Sequence, residues 1–247
     1  MMILGLHLWK NLVRTMDWIK QRYFLFNDRI LDVKEFDPEI INHGTTIYEL
    51  LKVRHCTPLF LEKYLKRIQN SLKMIGRPAW ITDREIVSKM RRIIRENCVT
   101  GEDHLKILIS FGNDYFSPPQ DFITMFFTTV PVPSPGYYAQ GVRTVSLNAT
   151  RYLPNAKIYQ PDLRRVTEKM IDTQDIYEVI LLNEENFVTE GSRSNIFFIT
   201  SDRRLITPHL DDVLPGITRS NVIEIAREHK VVVVEEKVHY DRLGGFV

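Results

Sequence analysis

The chain has little cysteine, no long apolar run and almost no net charge, and each scarcity closes off a class of protein. Of its 247 residues only Cys56 and Cys98 are cysteines. Two such residues far apart in sequence make neither a disulfide framework nor a four-cysteine metal cluster, so a reducing cytoplasm is the expected setting. The 7 histidines are scattered, with no pair at the helical spacing of a zinc site, and no metal is expected. The 33 basic side chains face 31 acidic ones, a net charge of +2. That balance gives no general field for nucleic acid or an anionic membrane, and neither is expected as a partner. No stretch approaches the roughly 20 apolar residues that span a bilayer. Residues 1–9 are apolar, but Lys10 and Arg14 follow at once, without the basic start and small-residue cleavage site of a signal peptide. Residues 1–22 read as an extension from an upstream start codon, or alternatively as an amphipathic helix.

What is present is an α+β pattern with 44% hydrophobic residues, enough for a substantial core. Tyr23-Phe24-Leu25-Phe26 predicts a strand that turns at Asn27-Asp28 into a second one. Residues 45–53 are rich in β-branched and aromatic side chains and fit a strand or a helix start. Leu61, Leu65, Ile68, Leu72 and Ile75 recur at helical spacing, as do apolar residues over 83–97. Strands are expected at 105–111 and 122–130. Pro131-Val132-Pro133-Ser134-Pro135-Gly136 reads as a linker. A smaller domain over 23–130, a linker over 131–141 and a larger domain over 142–247 follow. The larger domain is expected to hold strands at 142–147, 178–182, 187–189 and 196–200, and helices near 160–175 and at 217–229. Val231 to Val234, four β-branched residues in a row, predict a buried strand. The strands look segregated rather than alternating with helices.

Four features carry chemistry. In Leu214-Pro215-Gly216-Ile217-Thr218-Arg219 a turn opens directly into an amphipathic helix. The free N–H groups and positive dipole end of such a helix, with the Thr218 hydroxyl, suit a phosphate, although an ordinary helix start capped by Thr218 reads the same way. In Thr189-Glu190-Gly191-Ser192-Arg193-Ser194-Asn195 a lone carboxylate and a small polar loop lead into an apolar strand. They fit a carboxylate facing a protonated ring nitrogen, or simply a hairpin with a solvated Glu. Lys157, an isolated lysine, is ordinarily a surface charge and becomes a nucleophile only in a special environment. Arg67, on the first amphipathic helix, is either exposed or a phosphate-gripping fork.

The order of these features resembles the class IV aminotransferase family, which includes branched-chain aminotransferases, D-amino acid aminotransferases and aminodeoxychorismate lyases. The resemblance runs from about Tyr23 to the end of the chain and is most specific from Glu190 to Thr218. It implies a two-domain fold-type IV (D-amino acid aminotransferase-like) pyridoxal-phosphate (PLP) enzyme. In that reading Lys157 carries PLP and shuttles the proton at Cα. Glu190 faces the pyridine nitrogen. Arg67, Gly216, Ile217 and Thr218 belong to the phosphate grip, Leu214 packs on the ring, and Ser194 and Asn195 line the cofactor. Gly44-Thr45-Thr46-Ile47-Tyr48-Glu49 is similar to the branched-chain enzymes' segment, so His43 and Tyr48 are expected to face the substrate. Lys106 is a candidate for its carboxylate. Phe111 stands where the other two groups often carry Arg.

The implied reaction is transamination between an amino acid, branched-chain-like by this match, and a 2-oxo acid. The alternatives are aminodeoxychorismate lyase, which releases pyruvate to give p-aminobenzoate, and a PLP-binding chain without turnover. Family members continue for several elements beyond the region matching 239–243, so the C-terminal domain is expected to be shortened. A homodimer is implied as well.

Overall fold

A computed structural model of the chain describes residues 19–246. Residues 1–18 of the expected N-terminal extension, with their helix reading, lie outside the described residues. The chain divides into two compact units between Val132 and Pro133.

The first unit is built on a six-stranded antiparallel sheet in the order β2-β1-β6-β5-β3-β4. Its strands are β1 (Tyr23–Phe26), β2 (Arg29–Asp32), β3 (Thr45–Arg54), β4 (Thr57–Pro58), β5 (Glu102–Asn113) and β6 (Gln120–Thr128). The segment open to two readings is thus a strand. From Ile47 on its side chains alternate, with Ile47, Glu49, Leu51 and Val53 buried. Two helices, α1 (Leu61–Met74) and α2 (Asp83–Glu96), supply the expected apolar stripes. A reciprocal cap between Thr82 and Glu85 starts α2. Gly44 is required where β3 begins: its φ is +67°, and a Cβ there would stand 2.5 Å from the Phe111 carbonyl oxygen.

The second unit opens with a short helix, α3 (Pro135–Gln140), which occupies part of the stretch expected to be linker. Proline is well tolerated in a helix's first turn, and here the last of the three prolines starts one. A four-stranded sheet follows in the order β13-β9-β8-β7, with β7 (Thr144–Asn148), β8 (Glu178–Leu182), β9 (Phe187–Gly191) and β13 (Val238–His239). Strands β7 and β8 are parallel, with helix α4 (Pro161–Gln174) between them in sequence. A three-stranded sheet runs β10-β11-β12, from β10 (Phe198–Ile199), β11 (Leu205–Thr207) and β12 (Val233–Glu235). Here too β11 and β12 are parallel, with helix α5 (Ile217–Glu228) between them in sequence. The second unit therefore holds two strand-helix-strand crossovers among its antiparallel pairs, where the sequence pattern had suggested segregated strands. Leu182, Val188 and Val238 of the larger sheet share one apolar cluster with Phe198 and Ile206 of the smaller.

The valine run needs a correction. Val231 and Val232 are 38% and 57% exposed, and only the end of the run enters β12. That strand lies at the edge of its sheet with a single neighbour, so β-branched residues serve its backbone preference without being buried.

Candidate active site

Three loops of the second unit converge on Glu190. The carboxylate sits on β9 and is 3% exposed. Its Oε2 accepts from the Leu214 backbone N–H at 3.2 Å and from Asn195 Nδ2 at 3.3 Å. The same Asn195 amide donates to the Leu214 carbonyl at 3.0 Å. One side chain thus joins the loop after β9 to the segment that opens helix α5. The other oxygen, Oε1, lies 2.9 Å from Arg151 Nε. That is a charge contact out of line for a hydrogen bond, and both atoms are buried without a hydrogen-bond partner among the described residues. Burial pushes the Glu190 carboxyl above the ordinary glutamate range, and Glu178 adds to the push. Arg151, the Leu214 N–H and Lys157 pull against it.

Lys157 is half-buried in the loop between β7 and α4. Two residues before it, Asn155 donates to the carbonyls of Leu210 at 2.8 Å and Val213 at 2.7 Å. These bonds tie the lysine's loop to the chain just ahead of α5. Helix α5 starts at Gly216, not at Thr218: Gly216 is the residue before the first turn, no side chain caps the helix, and the first turn holds no acid. A Cβ on Gly216 would fall 1.9 Å from Asn195 Oδ1, so glycine is needed for that approach. Leu214 and Ile217 are buried and Thr218 is exposed. Farther along, Arg219 is tied to Glu235 at 2.7 Å and to the Pro208 carbonyl. It anchors the helix to β12.

Of the residues singled out from sequence, the second unit gathers Glu190, Asn195, Leu214, Gly216, Ile217 and Thr218, with Lys157 near enough for its charge to act on Glu190. Ser194 belongs to the same loop, but its hydroxyl donates to Glu178. The remaining candidates lie in the first unit. Arg67 is buried and forms a bidentate pair with Glu49, from Nε at 2.7 Å and from the guanidinium end at 2.5 Å. The exposed helical arginine is therefore excluded. By strand alternation Tyr48 and Lys106 fall on the sheet face opposite Glu49. Lys106 Nζ lies 5.9 Å from the centre of the Phe126 ring. His43 packs on Tyr115, and its Nδ1 is 3.1 Å from Asp114.

Sequence reasoning missed Arg151 and Asn155. Neither belongs to a periodic apolar pattern, and their partners are 39 and more than 50 residues away. The spacing of both to Lys157 was the only available signal.

The description of amino-transferase class IV matches residues 46–246. The chain belongs to that family. Among its relatives is the branched-chain-amino-acid aminotransferase-like protein 2 of Arabidopsis thaliana, 26% identical over 83% of this chain; the chain spans 38% of that protein's length. Among solved structures, the branched-chain amino acid aminotransferase of Thermobaculum terrenum in its PLP form is similar, at TM-score 0.72 and 24% identity, over 90% of this chain and 79% of that one. A Legionella pneumophila structure bearing a 4-amino-4-deoxychorismate lyase name is similar at TM-score 0.70 and 22% identity, over 87% and 83%.

Proposed function

We propose that the chain is a PLP-dependent transaminase, moving an amino group from an amino acid to a 2-oxo acid, with a branched-chain-like amino acid as the preferred donor. The observation that carries this is Glu190 Oε1: a buried carboxylate oxygen with a charge beside it and, among the described residues, no donor in line. Such an atom fits the ring N–H of a protonated pyridine. Around it the chain offers an amine on Lys157 and, at the start of α5, backbone N–H groups of Ile217 and Thr218 with the Thr218 hydroxyl. An uncapped twelve-residue helix without an acid in its first turn suits a phosphate.

When bound, PLP supplies an aldehyde joined to an electron-withdrawing ring. The residues do the rest. Lys157 Nζ would hold the aldehyde carbon, and its amine is the group that would carry the proton at the substrate's Cα. Glu190 keeps the ring nitrogen protonated. Leu214, buried at the turn before α5, gives the ring an apolar wall. The cofactor part of this proposal rests on residues of the second unit, and the branched-chain preference on the 44–49 segment of the first.

The test is the visible spectrum of protein supplied with PLP, followed by borohydride reduction and intact mass. We expect an absorbance band and one reduced PLP on the wild type, and neither on Lys157→Ala. Amino acids including leucine, isoleucine and valine should then convert the band to the pyridoxamine form. No reduced adduct on the wild type would reject the cofactor assignment. The similarity to the lyase-named structure supports a second reading, and production of pyruvate and p-aminobenzoate from aminodeoxychorismate without amino transfer would favour it.

A further inference from the structure

Glu178 is a second buried acid in the same unit, 8% exposed, and nothing in the reading above uses it. It stands on β8, and its two oxygens receive three donors. Oε1 accepts from the Ser192 hydroxyl at 2.6 Å and the Val179 N–H at 2.9 Å. Oε2 accepts from the Ser194 hydroxyl at 2.8 Å. Both serines lie in the loop after β9, beyond the last strand residue. The loop backbone is folded tightly there, with the Gly191 N–H bonded to the Ser194 carbonyl at 2.7 Å and the Ser192 N–H to the Val179 carbonyl at 2.8 Å. A Cβ on Gly191 would fall 2.3 Å from Ser194 Oγ and 3.0 Å from the Glu178 carboxylate. The next residue is Asn195, which bridges Glu190 and Leu214.

A short polar loop has few internal reasons to choose one shape. Here two hydroxyls are drawn onto one carboxylate, and the amide that follows is thereby aimed at the site. We propose that Glu178 is a positioning residue: it latches the loop through Ser192 and Ser194, and so holds Asn195 against Glu190 and the start of α5. The latch is a property of the chain itself. Its consequence for the cofactor rests on the functional reading given above.

A latch of this kind acts through hydrogen bonds rather than through charge, which makes it separable from Glu178's electrostatic effect on Glu190. In Glu178→Gln the amide oxygen keeps the Ser192 and Val179 donors, and the amide NH2 donates to Ser194 Oγ in place of accepting. Glu178→Ala loses all of these contacts, and Ser192→Ala/Ser194→Ala loses them from the other side. Two readouts are taken. The first is hydrogen exchange over residues 191–195 without cofactor, and the second is the rate at which bound PLP is lost on dilution.

Both Ala variants should raise exchange of the Gly191 and Ser194 amides and the PLP loss rate at least tenfold, while Glu178→Gln stays within twofold of wild type on both. Combining Glu178→Ala with the two serine substitutions should add nothing further, because all act on one chain of contacts. If Glu178→Ala does not fold, the double serine variant decides alone. The proposal is overturned if the folded Ala variants match wild type on both readouts, if Glu178→Gln behaves like Glu178→Ala, or if the combined effects multiply. A wild type that takes no PLP, yet shows the exchange changes in its variants, would reject the cofactor reading and leave the latch standing.

Discussion

A carboxylate taken out of water is costly unless charge and donors compensate it, and Glu190 is compensated only in part. Its carboxyl is held above the ordinary glutamate value, so the folded chain binds that proton more tightly than the unfolded chain does. Stability is then lost as pH rises from the ordinary value through the raised one. In the cofactor-free protein the melting temperature of Glu190→Gln, relative to wild type, should therefore climb from about pH 4 toward neutrality, since glutamine does not titrate. A difference that stays flat across that range would mean the carboxyl ionises as easily in the fold as outside it. Removing the cation instead takes away the acid's nearest compensating charge. Arg151→Met should destabilise the cofactor-free chain by about 3 kcal/mol in urea unfolding. Neither residue announces this pairing locally. Glu190 was legible because it stands in a recognisable order with Lys157 and Thr218, whereas Arg151 and Glu178 become meaningful only when β8 and β9 pair and the loop before Lys157 folds back onto them.

At the scale of elements the local rules read well wherever one face of a segment is apolar. The two helices of the first unit and the pair β1 and β2 lie close to where periodicity and turn residues put them. β8 coincides with its expected bounds, 178–182. The rules fail where tertiary neighbours decide, as with Val231 and Val232, which lie ahead of β12 and meet solvent. The start of α5 is a mixed case. Its position is set by Pro215-Gly216, but the reason for glycine is the Asn195 oxygen, which no local pattern shows. Gly216→Ala should accordingly weaken PLP binding at least tenfold in a fluorescence titration, with a stability loss of about 1 kcal/mol or more from the displaced amide. Unchanged affinity would mean that Asn195 can leave its place without consequence.

For the whole molecule, the division into two units has a direct correlate in the connecting chain. Val132 is 88% exposed and Tyr138 is 80% exposed. Brief chymotrypsin treatment should first cut after the tyrosines of α3 and release two fragments, seen by gel and mass spectrometry. A first cut inside either sheet would contradict it. The division falls among the prolines of 131–136; the short helix was hidden there because a proline that breaks one element can begin another.

Asn155 has a consequence beyond the geometry it fixes. The lysine's loop leaves the larger sheet of the second unit and the α5 segment leaves the smaller one, and this amide sews the two together. Lys157 and Glu190 belong to the larger sheet and its loops, and the opening of α5 follows the smaller one. The proposed cofactor site would therefore be whole only in a chain in which both sheets have formed, and damage to either one should be felt at the other's residues.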